Sequence, residues 1–294
     1  CDLVTSMVGE FAELQGLMGS YYAANDGEAP EVAQAIHEQY QPRFSGDDLP
    51  ASETGAILAV ADKLDTMVGL FGIGKPPTGS KDPFALRRSA IGILRILVEK
   101  PFELDLKWLI QTSMDSFPDE VLISDTGDKV FAFILERFKA WYLDEGISSE
   151  EFQSVFALRP SRPLDFHRRI QAVHAFALMP EAESLAAANK RVANILSKQD
   201  STAVQPVPNE SLMQESAEKA LYASIRDKEL EVAPYIYHGD YHKGLTLLAE
   251  LKPVIDGFFD EVLVIAEDEA IRGNRLALLA KLQSLFLNLA DISY

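Results

Sequence analysis

Gly72-Ile73-Gly74-Lys75-Pro76-Pro77-Thr78-Gly79-Ser80-Lys81-Asp82-Pro83-Phe84-Ala85-Leu86-Arg87-Arg88 separates two helical patterns. Its glycines and prolines cannot sustain a helix, so the stretch reads as a structured loop. Asp82-Pro83 then reads as an N-cap followed by a proline at the first helical position, which predicts a helix over 83–99. On that helix Ile91, Leu94 and Val98 line one face. Arg88 and Arg95, seven residues apart, share another, with Arg87 beside them. The same period continues in both directions. It predicts helices over 2–23, 30–40 and 52–71 before the loop. After it come 104–113, 128–145, 149–157, 163–178, 181–198, 211–230, 240–251, 253–268 and 270–290. In the last of these Leu278, Leu282, Leu285 and Leu289 form a stripe that needs a partner surface. No sustained alternation with β-branched residues marks a strand, so the predicted class is all-α.

Two turn-forming clusters, Phe117-Pro118-Asp119-Glu120 and Ser124-Asp125-Thr126-Gly127-Asp128, interrupt the helices and predict a domain boundary near 115–127. The polar connector Gln199–Asn209, with Pro206 and Pro208, reads as an exposed loop inside the second domain. The chain has 294 residues, 47% of them hydrophobic, enough for two domains with real cores. It opens on Cys1-Asp2-Leu3-Val4, and Val4, Val8 and Phe11 already fall at helical spacing. That pattern predicts a start inside a helix and a longer protein upstream. Cys1 is the one cysteine, so no disulfide framework can form within the chain. No leader pattern and no apolar run of spanning length is legible, which predicts a cytoplasmic protein without a membrane partner.

The formal charge of −18 argues against indiscriminate nucleic-acid binding, DNA included, because phosphate neutralisation needs Lys and Arg. The charge is uneven, however. Residues 81–100 carry Lys81, Arg87, Arg88, Arg95 and Lys100 against two acids, a net of +3. Residues 159–198 carry Arg159, Arg162, Arg168, Arg169, Lys190, Arg191 and Lys198 against three acids, a net of +4. Two basic islands in an acidic chain suit a protein that meets a polyanion at chosen places. In the second island Leu185, Val192, Ile195 and Leu196 form a buried stripe, while Lys190, Asn194 and Lys198 recur every four residues on a different face. Lysine and arginine can hold phosphates and asparagine can read a base edge in single-stranded RNA. A solvated helix face explains the same residues in either island.

Asp62 and Asp65, three apart on one helix, could converge on a metal or a phosphate; a solvated face is the plainer reading. With Asp2 they follow the layout of the HD superfamily. Cys1 stands where its histidine would be, and His37 is not placed in the pattern. The ligand set of a hydrolytic metal centre is therefore incomplete, and a degenerate HD-like helical fold is expected. His167, His174, His238 and His242 have no carboxylate at ligand spacing. No nucleophile with its own base is visible, nor an ATP-binding motif of the kind synthetases use. No catalytic or metal-ligating residue is therefore assigned.

Several runs carry a resemblance: Cys1-Asp2-Leu3-Val4-Thr5 with Met7-Val8-Gly9-Glu10-Phe11, Tyr40-Gln41-Pro42-Arg43-Phe44, and Ala61-Asp62-Lys63-Leu64-Asp65. So do Gly69 through Arg88, Ala187-Ala188-Asn189-Lys190-Arg191-Val192-Ala193-Asn194-Ile195-Leu196, and Ala266-Glu267-Asp268-Glu269 through Ser293. Over essentially its full length the chain resembles the β subunit of the two-subunit bacterial glycyl-tRNA synthetase. The resemblance implies an HD-like helical domain at 1–120, then an anticodon-binding domain like that of arginyl-tRNA synthetase at 121–294. It implies a C-terminal fragment that handles glycine tRNA and lacks the aminoacylation site. That site, with ATP and Mg, would sit on an α subunit in an assembly of two α and two β chains. The fragment itself is expected to hold no cofactor. The tRNA-contact candidates are Lys81, Arg87, Arg88 and Arg95 in the first island. In the second they are Arg168, Arg169, Lys190, Arg191, Asn194 and Lys198. An HD-type phosphohydrolase and a helical scaffold without RNA contact are the competing expectations.

Overall fold

The computed structural model describes residues 2–100, 102–118, 120–199 and 207–294. Cys1, the expected turn residue Asp119, and residues 200–206 of the polar connector, Pro206 included, lie outside them. The described residues are helical throughout, with one isolated bridge, Thr78 to Lys81, and no strand. The all-α expectation is borne out.

The helices are α1 (Ser6–Glu10), α2 (Leu17–Asn25), α3 (Pro30–Glu38), α4 (Glu53–Gly72), α5 (Leu86–Glu99), α6 (Leu106–Met114) and α7 (Thr126–Asp144). They continue as α8 (Ser149–Phe156), α9 (Pro163–Ala177), α10 (Ala182–Ser197), α11 (Ser216–Tyr237), α12 (Tyr241–Ala249), α13 (Lys252–Glu261) and α14 (Glu269–Leu287). None among the described residues is long and apolar enough to cross a membrane.

Contacts divide the chain into two compact units. The first runs to Glu145 and takes in Ser161–Leu164; the second comprises Gly146–Pro160 and Asp165–Tyr294. The turn clusters of 115–127 and all of α7 fall within the first unit. The core of that unit is built on α4 and α5, where Met67, Val68, Leu86, Ile93 and Leu97 are wholly buried, and Ile134 and Phe138 of α7 join them. Close approach decides local identity. A Cβ on Gly72 would lie 2.2 Å from Leu122 Cδ2, and one on Gly55 only 2.1 Å from Glu38 Oε2. In the second unit α14 supplies Leu278, Leu282 and Leu285 of the expected leucine stripe, and Leu289 follows just past its end. Leu278, Leu282, Leu285 and Leu289 are all buried, each contributing roughly 1.5–3 kcal/mol by leaving water.

Several helix boundaries differ from the sequence expectation. The expected helix over 2–23 breaks into α1, a 3-10 turn at Ala12–Leu14, and α2. The first segment ends at Phe11, and Gly16, at φ +83°, stands at the N-cap of α2, a conformation that glycine adopts without steric cost. The helix expected at Pro83 begins at Leu86. Asp82 does cap it, accepting from Leu86 N and Arg87 N at 2.9 Å each, but the chain first turns through a left-handed Ala85. The helix expected over 211–230 is shifted to 216–237 and runs on across Pro234. The helix expected over 253–268 ends at Glu261. Val262 is extended and Asp268 caps α14 by accepting from Ala270 N and Ile271 N.

Candidate nucleic-acid interface

In the second unit α10 builds one wall of an open groove of about 500 Å³, lined by Ala187, Lys190, Arg191, Asn194, Ile195, Lys198, Gln199 and Ile265. The helix buries Ala182, Leu185, Asn189 and Val192, which turns Lys190, Arg191, Asn194 and Lys198 outward, all exposed. Among the described residues three cations and two amides face the groove and no carboxylate does. The Arg191 guanidinium lies 4.2 Å from the centroid of the Phe259 ring on α13, which fixes its direction while leaving its edge donors for an anion. Asn189, the other asparagine of this run, serves the fold instead. It is buried and donates to Leu185 O at 2.9 Å.

The remaining second-island candidates do not line this groove. Arg169 is engaged within the chain. Its Nε meets Asp165 at 2.8 Å, Nη1 donates to Asn288 O and Leu289 O, and Nη2 donates to Tyr241 Oη at 3.0 Å. The guanidinium also lies 4.2 Å from the Tyr241 ring centroid. Tyr241 in turn donates to Asp165. Burial and that carboxylate push the Tyr241 hydroxyl up to about 12, against the opposing charge of Arg169. Arg168 is half-buried against Gly239, whose Cβ position would lie 3.1 Å from its Nη1. His174 Nδ1 meets Glu151 at 3.0 Å.

The first island lies in the first unit. Lys81 and Arg88 are exposed. Arg87 Nη2 donates to Gly79 O at 2.5 Å, tying the loop 73–81 back to the start of α5. Arg95 pairs with Glu99 at 2.7 Å and donates to Asp47 O at 3.0 Å. Lys100 Nζ donates to Ala51 O.

The HD-like positions have partners of another kind. Asp2 is 1% exposed. Its Oδ2 accepts from Gly16 N at 2.7 Å and Gly19 N at 2.9 Å, and its Oδ1 from Tyr40 Oη at 3.1 Å. It therefore caps α2 from a distance in sequence. Asp62 accepts from Gln39 Nε2 at 3.1 Å. Asp65, exposed one turn on, lines an apolar cleft with Trp108 and Leu109. Burial, with the charges of Asp2 and Asp62, raises the Tyr40 hydroxyl above its ordinary value, against a hydrogen bond from Gln15. Among the described residues no group of three or more His, Cys, Asp or Glu could hold a metal ion.

Lys63, between the two aspartates in sequence, is buried. Its Nζ donates to Gln41 O at 2.8 Å and Gln39 O at 3.3 Å. Burial lowers its ammonium to about 8, although Asp62 and Asp47 pull the other way. An unfolded lysine titrates near about 10.4. Between these values the unfolded chain holds a proton that the folded chain lacks. The stability contribution of this group therefore rises as pH rises from about 8 to about 10. Urea midpoints of Lys63→Met should lose that rise relative to the parent; an identical slope in both proteins would refute it.

Sequence reasoning missed Ile265, which lines the groove, and Phe259, which orients Arg191. Phe259 reads as one more apolar residue of a helix. The helical period also takes in Ile265, although the four-residue run Val262-Leu263-Val264-Ile265 has the β-branched alternation of extended chain.

Residues 1–157 match the family model described as glycyl-tRNA synthetase beta subunit. Residues 185–292 match the DALR anticodon binding domain, whose span holds α10 from Leu185 onward, Phe259 and Ile265. The glycine–tRNA ligase beta subunit of Pseudomonas aeruginosa is 53% identical over 293 residues, covering 100% of this chain and 43% of that protein. That of Marinobacter nauticus is 51% identical over 292 residues, 99% of this chain and 42% of that protein. That of Aliivibrio fischeri is 52% identical over 293 residues, 100% and 42% respectively. The chain thus spans less than half the length of the curated relatives it matches. A family model covering more than half of the chain, supported by these relatives, shows that the chain belongs to the glycyl-tRNA synthetase beta subunit family.

Proposed function

We propose that this chain is the tRNA-binding part of a glycine–tRNA ligase β subunit, selective for glycine tRNA. It works in the cytoplasm with an α subunit that carries the aminoacylation site, ATP and Mg, in an assembly of two α and two β chains. The observation that carries the reading is the groove of Lys190, Arg191, Asn194 and Lys198, which no carboxylate lines among the described residues, inside the anticodon-binding match, in a chain of net charge −18. Lysines and Arg191 would hold backbone phosphates, and the Asn194 amide would face a base edge of an unpaired loop. Lys81, Arg87 and Arg88 would give a second backbone contact. Arg95, Arg168 and Arg169, already engaged or packed within the chain, would act through the shape of the surface.

The test is filter binding of glycine tRNA across a salt series. Lys190→Glu/Lys198→Glu should weaken binding about a hundred-fold at 0.1 M salt and flatten the log K against log salt slope by about two. Arg87→Glu/Arg88→Glu should weaken it about ten-fold. Parent affinity and parent slope in the α10 double variant would overturn the assignment of the groove.

A further inference from the structure

The first unit contains a cleft of about 440 Å³, formed by the 42–46 turn, α5 and α7, large enough for a small ligand. Its rings come from two sides: Phe44, 56% exposed, on the turn, and Trp141 on α7. Ile91 and Gly92 of α5 also line it. Gly92 has little room for a side chain, since a Cβ there would lie 3.2 Å from Lys63 Cε and 3.3 Å from Pro42 Cγ.

Most charged groups of the cleft are committed. Arg95 binds Glu99 and Asp47 O. Glu145 accepts from Trp141 Nε1 at 2.5 Å. Two exposed groups are left without a hydrogen bond or ion pair among the described residues: the Arg88 guanidinium and the Asp144 carboxylate. Both line this cleft, yet no ion pair joins them. The cleft therefore offers a cation and an acceptor at separate places beside aromatic rings. A nucleotide carries a flat ring, a phosphate at one end and, in cytosine or adenine, an amino donor at the other.

We propose that this cleft binds a nucleotide with an amino-bearing base. The ring lies against Phe44 and Trp141, the phosphate meets Arg88, and Asp144 accepts from the exocyclic amino group. An unpaired residue of the RNA assigned above, or a free nucleoside monophosphate, presents the same chemistry. The RNA source rests on the proposed function.

The test uses the full chain and fluorescence. Trp108 and Trp141 are its two tryptophans, so Trp108→Phe leaves Trp141 as the reporter; Trp108 is 59% exposed and its replacement is checked by thermal melting. Cytidine monophosphate or a six-residue cytidine oligonucleotide should quench Trp141 saturably, with the uridine counterparts binding about ten-fold more weakly. Asp144→Asn should bring cytidine and uridine to parity, and Arg88→Ala should weaken both about ten-fold. Phe44→Ala should weaken both to a similar degree. Quenching by the oligonucleotide alone identifies RNA as the ligand, and equal quenching by the mononucleotide identifies a free nucleotide. No saturable quenching by either, or equal cytidine and uridine affinities that Asp144→Asn leaves unmoved, overturns the proposal. If tRNA is still retained on filters in that case, only the cleft is refuted. If tRNA retention fails while quenching persists, only the tRNA reading is.

Discussion

Arg275→Ala should cost the second unit about 3–5 kcal/mol, the range seen when one partner of a buried ion pair is removed. Arg275 and Glu218 are 6% and 0% exposed in their side chains. Arg275 Nε donates to Glu218 Oε1 at 3.0 Å and Nη2 to Oε2 at 3.2 Å. Glu218 also accepts from Gln214 N and Glu215 N, closing the capping box that starts α11. Truncating the arginine leaves a buried carboxylate with backbone donors alone. A double replacement by apolar residues of similar size, Arg275→Met/Glu218→Leu, removes both charges and should recover much of the loss. It cannot recover the capping bonds, worth about 0.5–2 kcal/mol. Burial pushes the Glu218 carboxyl upward, but Arg275 and the backbone amides outweigh it and hold the group below its ordinary value. The folded state therefore binds the proton less readily than the unfolded state. The stabilisation is complete above the unfolded value, near about 4.3, and is lost as pH falls through the folded one. Urea denaturation gives the measurement. The gap between parent and Glu218→Gln should narrow in acid, and a loss under about 1 kcal/mol for Arg275→Ala would show that the pair is dispensable.

Asp2→Ala should destabilise the first unit by about 2–6 kcal/mol, the sum for stranding two buried amides at about 1–3 kcal/mol each, while the partly exposed Tyr40 hydroxyl can turn to water. Asp2→Asn keeps the shape and one acceptor oxygen, so it should cost about half as much. The loss should be the same in EDTA and in millimolar Mn²⁺, because the carboxylate serves Gly16 N, Gly19 N and Tyr40 Oη. Stabilisation of the parent by Mn²⁺, absent in Asp2→Asn, would instead restore a ligand role for this position.

The helices and the leucine stripe were legible because a single periodicity specifies them: Leu278, Leu282, Leu285 and Leu289 repeat on one face whatever they meet. The boundaries were less legible because tertiary partners set them. The expected first helix restarts at Gly16, where a carboxylate fourteen residues away accepts its amide. Ala85 turns left-handed because the loop before α5 is tied down by Asp82 and Arg87. Among the basic candidates, charge alone could not separate Lys190 and Lys198, which face a groove, from Arg169, which holds Asp165, Tyr241 and two carbonyls. One-dimensional charge counting sees a cation; whether it is already paired depends on residues more than a hundred positions away, as Asn288 and Leu289 are from Arg169.

The extended segment after α13 places one groove residue on an unusual footing. Val262 and Val264 are buried and Leu263 and Ile265 are exposed. Arg275 Nη1 holds Leu263 O at 2.8 Å, while Arg272 Nη1 donates to Ala266 O at 2.9 Å. Both ends are thus pinned through main-chain oxygens, which every amino acid possesses. The Ile265 side chain takes part in neither bond, so a substitution there would reshape the lining of the groove while both main-chain pins stay in place.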